Sequence, residues 1–205
     1  MTRLSRLLAC SLALCSIPVA ALCYDAAGTP TIQAAHGAPG LADTTILIVR
    51  HAEKPSEGNG LDAQGVARSQ AYVDYFRTFR LDGAPIHIDT LVATADSAQS
   101  ERPRLTLAPL SHALHIPIQQ PYADAAVGDL ADWLKAGPNR RTILVAWHHG
   151  EIPALVAKLG GDPAALFTFR HWSPSVFGDV VVLRFDDDGR LVPGQTRLVH
   201  EDISV

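Results

Sequence analysis

The segment 45–49, Thr-Ile-Leu-Ile-Val, is apolar at every position after the threonine. Alternating apolar and polar residues would mark a strand with one wet face. An unbroken run marks a strand covered on both faces, as parallel strands between helices are. The run stops at Arg50, His51, Ala52, Glu53 and Lys54, followed by a loop of Pro, Ser, Gly and Asn. A buried strand that opens into so many titratable side chains delivers them to one edge of a sheet. In open α/β sheets, ligands bind at that edge, outside the carboxyl ends of the strands.

The downstream pattern supplies the rest of such a sheet. A helix is predicted over 62–79, with Asp62 as N-cap and Val66, Val73 and Phe76 at helical spacing. A strand follows over 88–93, then a helix over 102–113 that tolerates Pro103 in its first turn. A short strand at 116–119, a helix at 125–137 and a strand at 141–147 come next. A helix over 152–159 is closed by Gly160 and Gly161. The segment 178–199 reads as an antiparallel hairpin turning at Asp187, Asp188 and Gly189. The predicted fold is α/β: a three-layer α/β/α sandwich, mostly parallel, with an antiparallel C-terminal hairpin.

A chain of 205 residues with 47% apolar content suits one ordinary domain. Its net charge of −4 carries no basic stripe, so nucleic acid is not an expected partner. The first 23 residues differ in kind. Arg3 and Arg6 precede an apolar run from Leu7 to Leu14, then Pro18 and small residues. This pattern predicts a signal peptide over 1–23, a periplasmic or secreted protein, and no membrane span after cleavage. Residues 24–43, rich in Ala, Gly, Pro and Thr, read as a flexible leader, and 44–205 as the globular domain. Cys10, Cys15 and Cys23, the only cysteines, all fall in 1–23. Neither a disulfide framework nor a catalytic thiol is therefore expected. Histidine spacing does not match a zinc motif, and no Walker loop is present, so neither a metal nor a cofactor is expected.

Three loops, each after a predicted strand, carry the chemistry. The first holds Arg50 and His51. The second holds Ser97, Ser100, Arg102 and Arg104. The third holds His148, His149 and Glu151. Arginine forks match phosphate oxygens, a helix N-terminus adds N–H donors, and a neutral imidazole can attack phosphorus.

These residues resemble the histidine phosphatase (phosphoglycerate mutase-like) superfamily. Ile48–Lys54, IVRHAEK, is similar to its Arg-His-Gly/Ala motif, and LDAQGVARSQA to its Leu-Thr-x-x-Gly-x-x-Gln/Arg-Ala helix start, with Asp62 in place of Thr. SERPRLTLAPL resembles the Arg-x-x-x-Thr-x-x-Pro-Leu segment, and ILVAWHHGEIPALV the strand and second-histidine segment. The resemblance spans 46–156. It implies His51 as the phosphorylated nucleophile, Arg50 and Arg102 as phosphate ligands, and one of His149 and His148 completing the pocket. Alignment on His-Gly favours His149. The family's acidic segment has no Glu here; Asp124 is its closest substitute, with Glu151 and Glu53 as rivals for the general acid. The expected activity is hydrolysis of a small phosphorylated substrate through phosphohistidine. The alternatives are a mutase-type phosphotransferase and a non-catalytic phosphate- or phosphosugar-binding module. Substrate identity and oligomeric state are not legible.

Overall fold

The computed structural model describes residues 40–205, together with the backbone of two short antiparallel strands, Leu22–Tyr24 and Pro30–Ile32. The expected signal peptide and most of the expected leader lie outside the described residues.

The central sheet begins with β1 (Thr45–Arg50), whose residues are all buried. Next come α1 (Ala63–Arg77), β2 (Thr90–Ala93), α2 (Arg102–Leu114) and the short β3 (Ile118–Gln119). Then follow α3 (Val127–Ala136), β4 (Thr142–Trp147), α4 (Ile152–Lys158), β5 (Asp179–Arg184) and β6 (Arg197–His200). The strand order is β6-β5-β1-β4-β2-β3. From β1 through β3 the pairings are parallel, while β5 runs antiparallel to both β1 and β6.

The sheet is covered on both faces, as the apolar run demanded. Along β1, Ile46 and Ile48 join a core with Leu130, Leu134, Leu155 and Val156 of α3 and α4. Leu47 and Val49 point the other way, into a core with Tyr72, Phe76, Leu107 and Leu110 of α1 and α2. Each such buried aliphatic side chain contributes about 1.5 to 3 kcal/mol. The three layers are thus α1/α2, the sheet, and α3/α4. Among the described residues, no helix is long and apolar enough to cross a membrane.

The structure differs from expectation in four places. Residues 40–43, read as the end of the leader, are docked on the domain. Leu41 is buried, Gly40 N donates to Gly137 O, Ala42 N to Asn139 Oδ1 and Asp43 N to Asp186 O. The Asp62 cap is present, its carboxylate accepting the Gly65 N–H at 2.8 Å, but α1 is rotated from its expected face. Val66 is 49% exposed, whereas Arg68 and Ser69 face inward with Tyr72 and Phe76. The segment 116–119 shortens to the two residues of β3. The hairpin does turn at Asp186–Gly189, where Phe185 bridges Leu191, but a short 3-10 turn at Pro193–Gln195 intervenes before β6.

Candidate active site

β1, β2 and β4 are parallel, so their carboxyl ends share one edge of the sheet. There a cavity of about 250 Å³ opens, lined by Arg50, His51, Lys54, Arg102, Asp124, His148, His149, Gly150 and Glu151. Arg50, His51, Arg102, Asp124, His148, His149 and Glu151, all expected from the sequence, reach one pocket, while Glu53, Ser97, Ser100 and Arg104 are not among its lining residues.

His51 is 3% exposed, and its Nδ1 lies 2.7 Å from the Ala52 carbonyl oxygen. A carbonyl only accepts, so Nδ1 carries the proton and Nε2 keeps the lone pair. Burial, then the positive fields of His148, Arg50 and Arg102, press its pKa down to about 3 against the pull of Ala52. At neutral pH the ring is uncharged and its Nε2 lone pair is available. The loop that carries it is stapled to α2. Thr106 Oγ1 accepts the Ala52 N–H at 2.8 Å and donates to the Arg102 carbonyl at 2.8 Å. That dual contact explains the spacing of four between Arg102 and Thr106. The loop also approaches α1 closely: a Cβ on Gly65 would lie 2.3 Å from the Glu53 carbonyl oxygen, so only glycine fits.

Arg50 is fixed by the segment leading into β5. Its Nη1 donates to the Pro174 and Val176 carbonyls at 2.7 and 3.0 Å, and its Cζ lies 3.6 Å from the Phe177 ring centroid. Burial lowers its pKa to about 10, so it stays charged at neutral pH. Arg102 is the first residue of α2, and burial lowers its pKa as well. The Nε of each arginine is buried without a hydrogen-bond partner. Buried donors left unmet cost stability, and both arginines line the pocket, where their guanidinium groups suit an anion.

His148 and His149 both reach the pocket, but in different ways. His148 packs edge-on against His51, ring centroids 5.0 Å apart. Its Nε2 lies 3.0 Å from Ser100 Oγ, and its Nδ1 lies 3.0 Å from Asp124 Oδ1, an oblique approach that leaves neither of these last two atoms an aligned hydrogen bond. Asp124 is anchored by its carbonyl, which accepts the Trp147 indole N–H at 3.1 Å. His149, favoured by the sequence alignment, is a lining residue, its pKa lowered by burial and by Arg50 and His148. The ring that meets His51 is that of His148. Glu151 sits at the N-cap of α4, without a capping hydrogen bond from its side chain.

Glu53, a rival for the acid role, points elsewhere. Its carboxylate accepts from Arg68 Nε and Nη2, while Arg68 Nη1 donates to Glu201 and Tyr72 donates its hydroxyl to Glu201 at 2.5 Å. Among the described residues, no group of three His, Asp or Glu side chains is arranged to hold a metal ion.

No family model matches the chain, and neither does any curated protein. Solved structures do. The phosphoglycerate mutase of Plasmodium falciparum superposes with a TM-score of 0.50 at 14% identity, over 79% of this chain and 98% of that one. This is the phosphoglycerate mutase-like fold. The protein histidine phosphatase SixA, solved with tungstate, matches with a TM-score of 0.44 at 17% identity, over 72% of this chain and 92% of that one. At such identity the likeness establishes the phosphoglycerate mutase-like fold alone, and the activity has to be argued from the pocket.

Proposed function

We propose that the protein is a phosphomonoester hydrolase that works through a phosphohistidine on His51, outside the cytoplasm as its N-terminal pattern implies. One observation carries the reading: a buried, uncharged imidazole with a free Nε2 stands among Arg50, Arg102 and His148. The guanidinium groups hold the phosphoryl oxygens, and His148 donates an N–H to one of them. His51 Nε2 then bonds to phosphorus as the bond to the leaving oxygen breaks. Glu151 is the pocket carboxyl group not engaged by a histidine, and it gives its proton to that oxygen. In the second half Glu151 takes a proton from water, whose oxygen attacks phosphorus and releases His51 and phosphate. No step calls for a metal, so turnover should survive a chelator.

The test mixes enzyme with a labelled phosphomonoester and quenches in base. The expected product is acid-labile, base-stable protein-bound label, absent from His51→Ala. Label retained in that variant would overturn the proposal. Glu151→Gln should slow an alkyl phosphate about 100-fold and p-nitrophenyl phosphate much less, because a good leaving group needs little protonation.

A further inference from the structure

Phe177 is not among the residues that line the pocket, yet it touches two that are. Its ring centroid lies 3.6 Å from Arg50 Cζ, and its ring meets that of His51 at 64° with centroids 6.4 Å apart. The sheet explains the placement. β5 runs antiparallel to β1 with Val180 opposite Val49, so the residues entering β5 pass the carboxyl end of β1, where Arg50 and His51 stand. The backbone is pinned on both sides of Phe177. The Val176 carbonyl accepts the Trp172 indole N–H at 2.8 Å as well as Arg50 Nη1, and the Gly178 carbonyl accepts the Glu201 N–H at 2.7 Å.

A hydrogen count on Arg50 shows which part of it is available. A guanidinium carries five N–H hydrogens, two of them on Nη1. Nη1 donates to the Pro174 and Val176 carbonyls, so both of its hydrogens are spent. Among the described residues, Arg50 Nε and Nη2 have no hydrogen-bond partner. An oxyanion held by the Arg50 guanidinium is therefore held by the edge that joins Nε and Nη2, whose parallel N–H bonds suit a bidentate pair. Both carbonyl bonds leave from one corner of the group, and the rest of it can tilt about that corner. The contact with the Phe177 face opposes that tilt, and a cation over an aromatic face is favoured in its own right.

We infer that Phe177 is a positioning residue: its ring sets the plane of the Arg50 guanidinium so that the Nε–Nη2 edge, and not Nη1, receives a phosphoryl oxygen pair. This rests on the reading of the pocket as a phosphoryl site.

Two measurements on the full chain test this, both with inorganic phosphate as the probe and neither needing turnover. The first is phosphate affinity by titration calorimetry. Leucine keeps most of the apolar bulk but has no π face, so Phe177→Leu should bind phosphate about three- to thirtyfold more weakly than wild type. Phe177→Tyr keeps the face and should stay within about twofold of wild type. Equal affinity of Phe177→Leu and wild type would overturn the inference, as would a loss in Phe177→Tyr as large as that in Phe177→Leu. The second is the arginine side-chain 15N spectrum at mildly acidic pH, with the Arg50 Nε–H resonance identified by its absence from Arg50→Lys. In wild type this resonance should carry a ring-current shift and move downfield as phosphate is added, because the hydrogen gains an acceptor. If Phe177→Leu fails to fold, wild type decides alone: phosphate bound without a change at Arg50 Nε–H sinks the idea. Phosphate bound with the expected change, but no label on His51 during turnover, sinks the hydrolase reading and leaves this inference standing. Phosphate that does not bind wild type overturns both.

Discussion

Two clusters of buried charge share one five-residue stretch of chain, and they are built on opposite terms. Around His51 the charges are mostly of one sign and incompletely met: two guanidinium groups with orphaned Nε atoms beside an imidazole pressed down to about 3. Around Glu53, two residues on, every carboxylate oxygen has a donor. Arg68 clasps Glu53 with Nε and Nη2, and Glu201 is shared between Arg68 and Tyr72. Burial opposes the Arg68 charge, but its bonds to Glu53 and the field of Glu201 outweigh it and raise its pKa. Burial likewise raises the pKa of Glu201 and of Tyr72. The first cluster lines a pocket with two arginine Nε atoms unpaired; the second pairs its charges internally. Charge left unmet at a pocket marks a candidate site, and charge fully met marks scaffold.

The contrast can be broken by substitution. The largest expected effect is on the unmet side: His51→Ala should lower kcat by on the order of 10⁴-fold or more, with the thermal midpoint little changed. On the complete side, Arg68→Met strands two buried carboxylates and should cost about 3 to 5 kcal/mol by urea unfolding. A large loss of kcat without loss of stability in that variant would erase the distinction between the clusters. The pH dependence is smaller. The folded state refuses a proton at His51 that the unfolded chain accepts, so its contribution is whole above about pH 6.5 and fades as pH falls toward 3. From pH 7 to pH 4.5 this removes about 2 to 3 kcal/mol, visible as the difference between the stability curves of wild type and His51→Ala. The smallest is Tyr72→Phe, which deprives Glu201 of one donor and should cost about 1 to 2 kcal/mol with turnover unaffected.

The same contrast explains what was legible in the sequence. The strand mount, the Asp62 cap and the convergence of three loops follow from period, capping chemistry and the carboxyl-edge rule. The face of α1 does not, because a periodicity reading assumes that apolar residues point inward. Arg68 lies inside only because Glu53 and Glu201, remote along the chain, meet it there. Val66 is displaced outward in consequence. The choice between His148 and His149 escaped for a related reason. Two adjacent residues in a loop look equivalent until a backbone decides which ring faces His51; the alignment favours His149, and the ring packed against His51 is that of His148. Ser100 was legible as a member of the second loop, but its reach to His148 depends on the lateral pairing of β4 with β2.

That lateral order also sets the timing of assembly. Thr45 lies between Thr142 of β4 and Arg184 of β5, so the strand leading to His51 has no neighbour close in sequence. Arg50 is likewise seated by the Pro174 and Val176 carbonyls. Closing such distant pairings is slow compared with forming α1 or α2 locally. A folding chain would hold its helices early, with His51 on an unzipped strand, and catalytic competence would arrive in the last kinetic phase, after the segment from 174 to 184 has docked.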